Sequence, residues 1–309
     1  MQLSVDQQTD HIQWSDNAKG IGIILVVLGH GMFPVHSLID SFHMPLFFIL
    51  AGLFVNTDKY EIKDYVSKRF VRVLIPYFLF TLTVGLYALP MGWHEVVHHV
   101  SALWFLYTIF FASSLYYVIR KYLTVEWCNL LFASMLVVMP FISIILDGTG
   151  IWIIIERILY AVIFIHVGYI YNRFMTQLTH VGYVFWISIL VFLFCNVLIL
   201  NKYVSLDISY YSGTLFKLPV YVFLPVALSG SYLTMYISRK IVSSNILQYI
   251  GRNSLAIYAL HIPLIWKLNN LISSLPHYNQ ITYKLLYALL EYCIVFAVVM
   301  TIIWTLQKN

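Results

Sequence analysis

Charge is what this chain lacks. Only 10% of its 309 residues are Asp, Glu, Lys or Arg, against about a quarter in an ordinary soluble domain. Hydrophobic residues make up 61% and the mean hydropathy is +0.82. That is more apolar surface than one soluble core of this length can hide, so the bilayer must solvate most of the chain. The formal net charge is only +5. No basic run is dense enough to track a nucleic-acid backbone, which excludes nucleic acid as a partner. Cysteine is scarce as well. Cys128, Cys195 and Cys293 lie apart in apolar runs, a spacing that fits neither a zinc site nor a disulfide framework. Nucleophile elbow, Walker loop and GxGxxG fingerprint are all missing. Residues 1–17 are polar and acidic, and the apolar run that follows continues past any plausible cleavage point, so no cleavable signal peptide is expected.

What is there is a series of apolar stretches. The sequence predicts an all-α integral membrane protein with about ten transmembrane helices. Their ranges are 18–36, 42–56, 72–92, 100–119, 128–146, 151–171, 182–201, 215–236, 248–268 and 284–305. The second is short and must borrow its flanks. The eighth contains Pro219 and Pro225, and the ninth contains Pro263, where a kink is expected. These stretches fill residues 1–309 as a single polytopic domain, with no low-complexity segment and no internal repeat.

The basic residues orient it. With the N-terminus inside, the inner side holds Lys19, Lys59, Lys63, Lys68, Arg69, Arg72, Arg120, Lys121, Arg173, Arg239, Lys240, Arg252 and Lys308, which is 13 of the 18 basic residues. The outer side holds Lys202, Lys217, Lys267 and Lys284, and Arg157 is left within a span. The positive-inside rule therefore places both termini in the cytoplasm of a multi-pass protein of the cell (inner) membrane. Single cysteines placed in a cysteine-free background test this. Cysteines at positions 60 and 122 are expected to resist an impermeant thiol reagent added outside, and one at 96 to react. The opposite labelling pattern would reject the orientation.

Ionisable groups inside spans are costly and so mark candidate sites. The first span opens Asp16-Asn17-Ala18-Lys19-Gly20 and carries Gly29-His30-Gly31. Eleven residues separate Lys19 from His30, about 16 Å or three helical turns, which returns both to one face. A cation then sits at the cytoplasmic mouth, and an imidazole lies near the middle of the membrane. Imidazole is the side chain best suited to take and return a proton near neutral pH. The plain alternative is a histidine hydrogen-bonded between helices. His43 opens the second span in Ser41-Phe42-His43-Met44-Pro45, as a functional or merely interfacial group. Arg69 and Arg72 are spaced to share a helix face and to grip phosphate, although positive-inside topology also accounts for them. Glu156, Arg157 and His261 lie deeper, as structural pairs or as an acceptor site. His94 and His98 have a helical zinc-ligand spacing, but only Glu95 is near them, and no metal is expected.

Taken in order, Asp16, Lys19, Gly20 and His30, then Phe42-His43-Met44-Pro45-Leu46-Phe47-Phe48-Ile49-Leu50-Ala51-Gly52, resemble the acyltransferase 3 family of membrane acyltransferases. Within it they are most similar to the fucose 4-O-acetylase-like branch. The segments Arg69-Phe70-Val71-Arg72-Val73-Leu74-Ile75-Pro76-Tyr77, Leu103-Trp104-Phe105-Leu106 and Asn253-Ser254-Leu255-Ala256-Ile257-Tyr258 through His261 extend the resemblance over nearly the whole chain. Two departures stand out: Lys19 where the family often has Arg, and Ala51 where it often has Ser. The resemblance implies an O-acyltransferase with no permanently bound cofactor. Its donor would be acetyl-CoA or another acyl-CoA used from the cytoplasm. Its acceptor would be a sugar hydroxyl of a surface polysaccharide or of its lipid-linked precursor. It further implies His30 as base or acyl carrier with Lys19 as its partner, and Arg69 and Arg72 as donor-binding or structural cations; Asp16 is a further catalytic candidate next to Lys19. His43, Glu156, Arg157 and His261 are candidates for the acceptor side. A proton-coupled transporter or flippase is the rival reading, since broken helices and intramembrane histidines suit that class too.

Overall fold

Helix is the only regular structure available to a backbone in lipid that does not close into a barrel, because each N–H must find its partner within the same segment. The computed structural model describes residues 5–31, 36–146, 150–179, 182–201, 220–241, 244–276 and 281–308, and among these there is no strand. The helices are α1 (Val5–His30), α2 (His36–Asp40), α3 (His43–Leu53), α4 (Ile62–Arg69), α5 (Ile75–Ala88), α6 (Trp93–Ser101) and α7 (Trp104–Tyr122). They continue as α8 (Val125–Leu146), α9 (Gly150–Thr179), α10 (Gly182–Leu200), α11 (Val220–Lys240), α12 (Asn245–Arg252), α13 (Ser254–Ile272) and α14 (Ile281–Lys308).

By length and composition, six helices among the described residues can cross a membrane. They cover Ile62–Met91, Val125–Ile142, Gly150–Phe174, Gly182–Leu200, Ser254–Ile272 and Tyr283–Gln307. A seventh is added if α6 and α7, bent by 42° at their junction, form one broken span. About ten were expected from the apolar stretches. The difference has local causes. The 42–56 stretch gives α3, an 11-residue helix, about half the length a hydrocarbon core requires. The 18–36 stretch does not stay helical to its end: α1 stops at His30, where Gly31 and then Pro34 are helix-stop residues. Pro219, Lys202 and Lys217 lie outside the described residues. Exposed leucines and aromatics line the outer faces, among them Phe78, Leu79, Leu82 and Leu86 on α5 and Leu190, Leu193 and Phe194 on α10. Such continuous apolar surface belongs against lipid rather than water.

The chain divides into two packing units, Met1–Met44 with Gly230–Asn309, and Pro45–Ser229. In the first, α1 packs on α12 and α13, and α13 on α14. Two glycines set the α1–α12 approach. A Cβ on Gly20 would strike the Leu247 carbonyl, and one on Gly251 would strike the Asp16 carbonyl. Backbone contact this close is how helices associate where no hydrophobic force separates them from lipid. The buried stripe of α14 runs Ala288, Glu291, Tyr292, Val295, Val299 and Ile303, at the three- and four-residue spacing of one helical face. In the second unit α7 packs on α9, and α3 crosses α9 by the same device. A Cβ on Gly52 would strike the Ile165 carbonyl, and one on Gly168 would strike the Ile49 carbonyl. The glycine of Ala51-Gly52 is therefore a packing requirement of α3.

Candidate functional site

The first unit gathers histidines from three helices. His30 ends α1, His43 begins α3 and His261 lies in the middle of α13. The rings of His30 and His261 meet edge to face, with centroids 5.1 Å apart and planes at 80°. His43 lies in the same unit, with Asp40 Oδ1 3.7 Å from its Nδ1. His43 and His261 are buried, at 4% and 0% exposure.

Their protonation follows from their neighbours. Nδ1 of His30 lies 2.8 Å from the Val26 carbonyl. Nδ1 of His43 lies 2.9 Å from the Ile39 carbonyl, and Nδ1 of His261 lies 2.8 Å from the Tyr258 carbonyl and 3.1 Å from that of Ile257. A carbonyl oxygen only accepts, so each Nδ1 carries the proton and donates it. In a neutral imidazole Nε2 is then left with its lone pair. The unit thus assembles three imidazoles, each held by its own helix and each offering a basic Nε2. At His261 that nitrogen is buried without a hydrogen-bond partner among the described residues. An unpaired buried acceptor is expensive unless something with a proton comes to it.

Two further groups border the cluster. Asp40 ends α2, with Oδ1 3.7 Å from His43 Nδ1. Glu291, at 0% exposure, is presented by α14 beside Gly31, the residue after His30. Neither was among the expected site residues. Asp40 lies in the short connection between two predicted spans, where a carboxylate raises no question. Glu291 was legible in principle as a carboxylate within the 284–305 stretch.

Asp16 and Lys19 meet at the other end of the apolar part of α1. Lys19 Nζ donates to Asp16 Oδ1 at 3.0 Å, and Arg252 Nε lies 3.8 Å from Asp16 Oδ2. Arg252 is held at the end of α12 by the glycine contacts described above, and its side chain is 60% exposed. Among the described residues one carboxylate therefore faces two cations. Sequence spacing had no means of bringing Arg252 to this place.

The remaining expected residues belong to the second unit. Arg69 Nε donates to the Tyr65 hydroxyl at 3.2 Å, and Tyr65 stacks on Tyr117 with centroids 3.7 Å apart. Arg72 is exposed within a π-helical turn, Phe70–Leu74, closed by the Ile75 N–H bonding to the Phe70 carbonyl. The wider turn gives the two arginines a different relation from the ordinary i, i+3 spacing. Its cause is Pro76, which has no N–H to offer the Arg72 carbonyl. Glu156 and Arg157 are buried in α9, at 1% and 9% exposure. Arg157 Nη1 donates to the Tyr107 hydroxyl at 3.2 Å, and its guanidinium lies 5.2 Å from the Trp104 ring centroid. His94 and His98 stack with centroids 6.4 Å apart, and no group of three or more His, Cys, Asp or Glu among the described residues is placed to hold a metal ion.

A family model described as an acyltransferase domain matches residues 12–308. No curated protein and no solved structure matches the chain.

Proposed function

The chain belongs to the acyltransferase 3 family, and from that premise we propose that this membrane acyltransferase moves an acetyl group from acetyl-CoA to a sugar hydroxyl of a surface polysaccharide or its lipid-linked precursor. The observation that carries the reading is the set of three imidazoles whose Nδ1 protons are all committed to helix carbonyls. A site with three basic Nε2 atoms suits removal of a proton from a hydroxyl. It does not suit delivery of one to a resting substrate.

In this mechanism His30 Nε2 takes the proton of the acceptor hydroxyl as its oxygen attacks the thioester carbonyl. The new C–O bond forms, the C–S bond breaks, and His30 returns the proton to the departing CoA sulfur. His43 and His261 accept hydrogen bonds that hold the hydroxyl in line. The cations at Lys19 and Arg252 bind the CoA phosphates, with Asp16 holding the pair in place. Lys19 and His30 are separated by about 16 Å along α1. The pantetheine arm is about as long as four extended residues, roughly 14 Å. A donor whose phosphates sit at Lys19 would therefore bring its thioester to His30. Arg69 and Arg72 are proposed as further donor cations, and Glu156 and Arg157, beside Trp104 and Tyr107, as an acceptor-side surface. With the termini in the cytoplasm, the donor enters from the cytoplasm.

Two measurements test this. Surface glycans from cells with and without the gene should differ in acetyl content by mass, and unchanged glycans would reject the acceptor class. For the donor, Lys19→Ala is expected to raise the KM for acetyl-CoA about tenfold, the loss of one charge-assisted phosphate contact. Lys19→Arg is expected to keep most of the activity because the charge remains. If Lys19→Ala leaves that KM in place and shifts the pH dependence instead, Lys19 acts on the base and the phosphate role is wrong.

A further inference from the structure

Glu291 is a carboxylate at 0% exposure in a helix apolar enough to cross a membrane. Its neighbours on the inward stripe of α14, Ala288, Val295 and Val299, are what lipid-embedded packing requires, and the carboxylate is the exception. Such a group is retained at a cost and is a functional candidate by default.

Its position sets it beside the residue that follows His30. A Cβ on Gly31 would lie 2.7 Å from Glu291 Oε2 and 2.8 Å from the Tyr292 hydroxyl, and would strike the Tyr292 ring. Only glycine after His30 lets α14 come this near. The Tyr292 hydroxyl donates to the Leu28 carbonyl at 3.1 Å, which ties α14 to the last turn of α1. The carboxylate is thus fixed beside the end of α1, where His30 stands. Among the described residues, the titratable groups on the elements near the end of α1 include His36 and Asp40 from α2, His43 from α3, Tyr258 and His261 from α13, and Tyr292 from α14. His36 Nδ1 donates to the Gly29 carbonyl at 2.8 Å. Asp40 lies against His43 Nδ1. The neighbouring imidazoles add no negative charge and would repel a second cation.

We infer that Glu291 is the counter-charge of His30: its carboxylate compensates the imidazolium formed when His30 holds the acceptor's proton. This rests on the reading of His30 as the base. No bond is made to Glu291 and no proton is consumed there. The proton passes from the acceptor hydroxyl to His30 Nε2 and on to the CoA sulfur, and Glu291 stays charged throughout. It is a positioning residue acting through His30, and its absence weakens the base without altering where the donor binds.

The sign of the pH effect follows. Transfer needs His30 unprotonated at the start, so the rate rises with pH through its titration. A nearby carboxylate favours the protonated ring. Removing that charge moves the rising limb to lower pH and lowers the plateau, because a weaker base takes the proton less readily.

The experiment compares the full-length protein with Glu291→Gln and Glu291→Asp in detergent or nanodiscs, with acetyl-CoA as donor and a glycan extract from cells lacking the gene as acceptor. The expected result for Glu291→Gln is a kcat lower by about tenfold, with the KM for acetyl-CoA unchanged and the limb moved down by about one pH unit. Glu291→Asp, which keeps the charge, is expected to restore the limb and much of the rate. An unmoved limb in folded Glu291→Gln overturns the inference, and so does a Glu291→Asp profile matching that of Glu291→Gln. If Glu291→Gln does not accumulate, the Glu291→Asp profile decides: a limb at the wild-type position supports the inference, and a displaced one overturns it. Wild-type protein that transfers nothing would instead overturn the functional reading itself.

Discussion

His30→Ala is expected to abolish acyl transfer, with a loss of at least about 10²- to 10⁴-fold, the usual contribution of a general base. The protein should still accumulate in the membrane. His30 is the last residue of α1, so its removal interrupts no helix, and its Nδ1 bonds to a carbonyl of its own helix. Helix packing in the unit depends instead on the contacts at Gly20 and Gly251 and on the Tyr292 bond to Leu28. The measurement is acetyl transferred per amount of membrane-inserted protein. His30→Gln separates a base from a mere hydrogen-bond partner, because glutamine offers an amide oxygen but no titrating nitrogen. It is expected to be as inactive as the alanine variant. Substantial transfer by either variant would mean that His30 is not the base, and the role would pass to His43 or His261.

How much of this was readable beforehand depended on whether the chemistry was local. The deficit of charge announced a membrane protein. Lys19 and His30 were visible as costly residues on one apolar run, and the ordered motifs pointed to the family that the match over residues 12–308 shows. Local geometry was already less certain. The 18–36 stretch reads as one span because residues 20–29 are all apolar or glycine, yet α1 ends at His30. The π turn at Phe70–Leu74 was foreshadowed only by Pro76, which marked a bend without saying which carbonyl would lose its donor. The convergence of His30, His43 and His261 was not readable, because no spacing rule relates the end of α1 to the middle of α13. The same holds for Arg252 reaching Asp16. Glu291 was missed for another reason. The rule that singled out His261 applied equally to a carboxylate in 284–305, but without the glycine contact at Gly31 nothing connected it to the base.

His261→Phe is the second variant with a large expected effect. Phenylalanine fills a similar space on α13 and preserves an aromatic ring against His30, so the packing seen in the 5.1 Å edge-to-face contact is largely kept. What disappears is Nε2, a buried acceptor without a partner among the described residues. If that nitrogen receives the acceptor hydroxyl and aims it at the thioester, its loss leaves an unsatisfied substrate hydroxyl in an apolar site. The expected cost is about tenfold to a hundredfold in kcat/KM for the glycan, the range for an uncompensated buried hydrogen-bonding group. The KM for acetyl-CoA should not change, because the cations at Lys19 and Arg252 stand at the far end of α1. Thermal stability in detergent should be equal or higher, since a buried polar atom without a partner has been replaced by an apolar one. Thus the nitrogen's role in catalysis and its role in stability have opposite signs, which a purely structural histidine would not show. Unchanged glycan transfer together with a stability gain would mean that Nε2 meets no substrate. A parallel loss of stability and activity would make His261 a packing residue of α13.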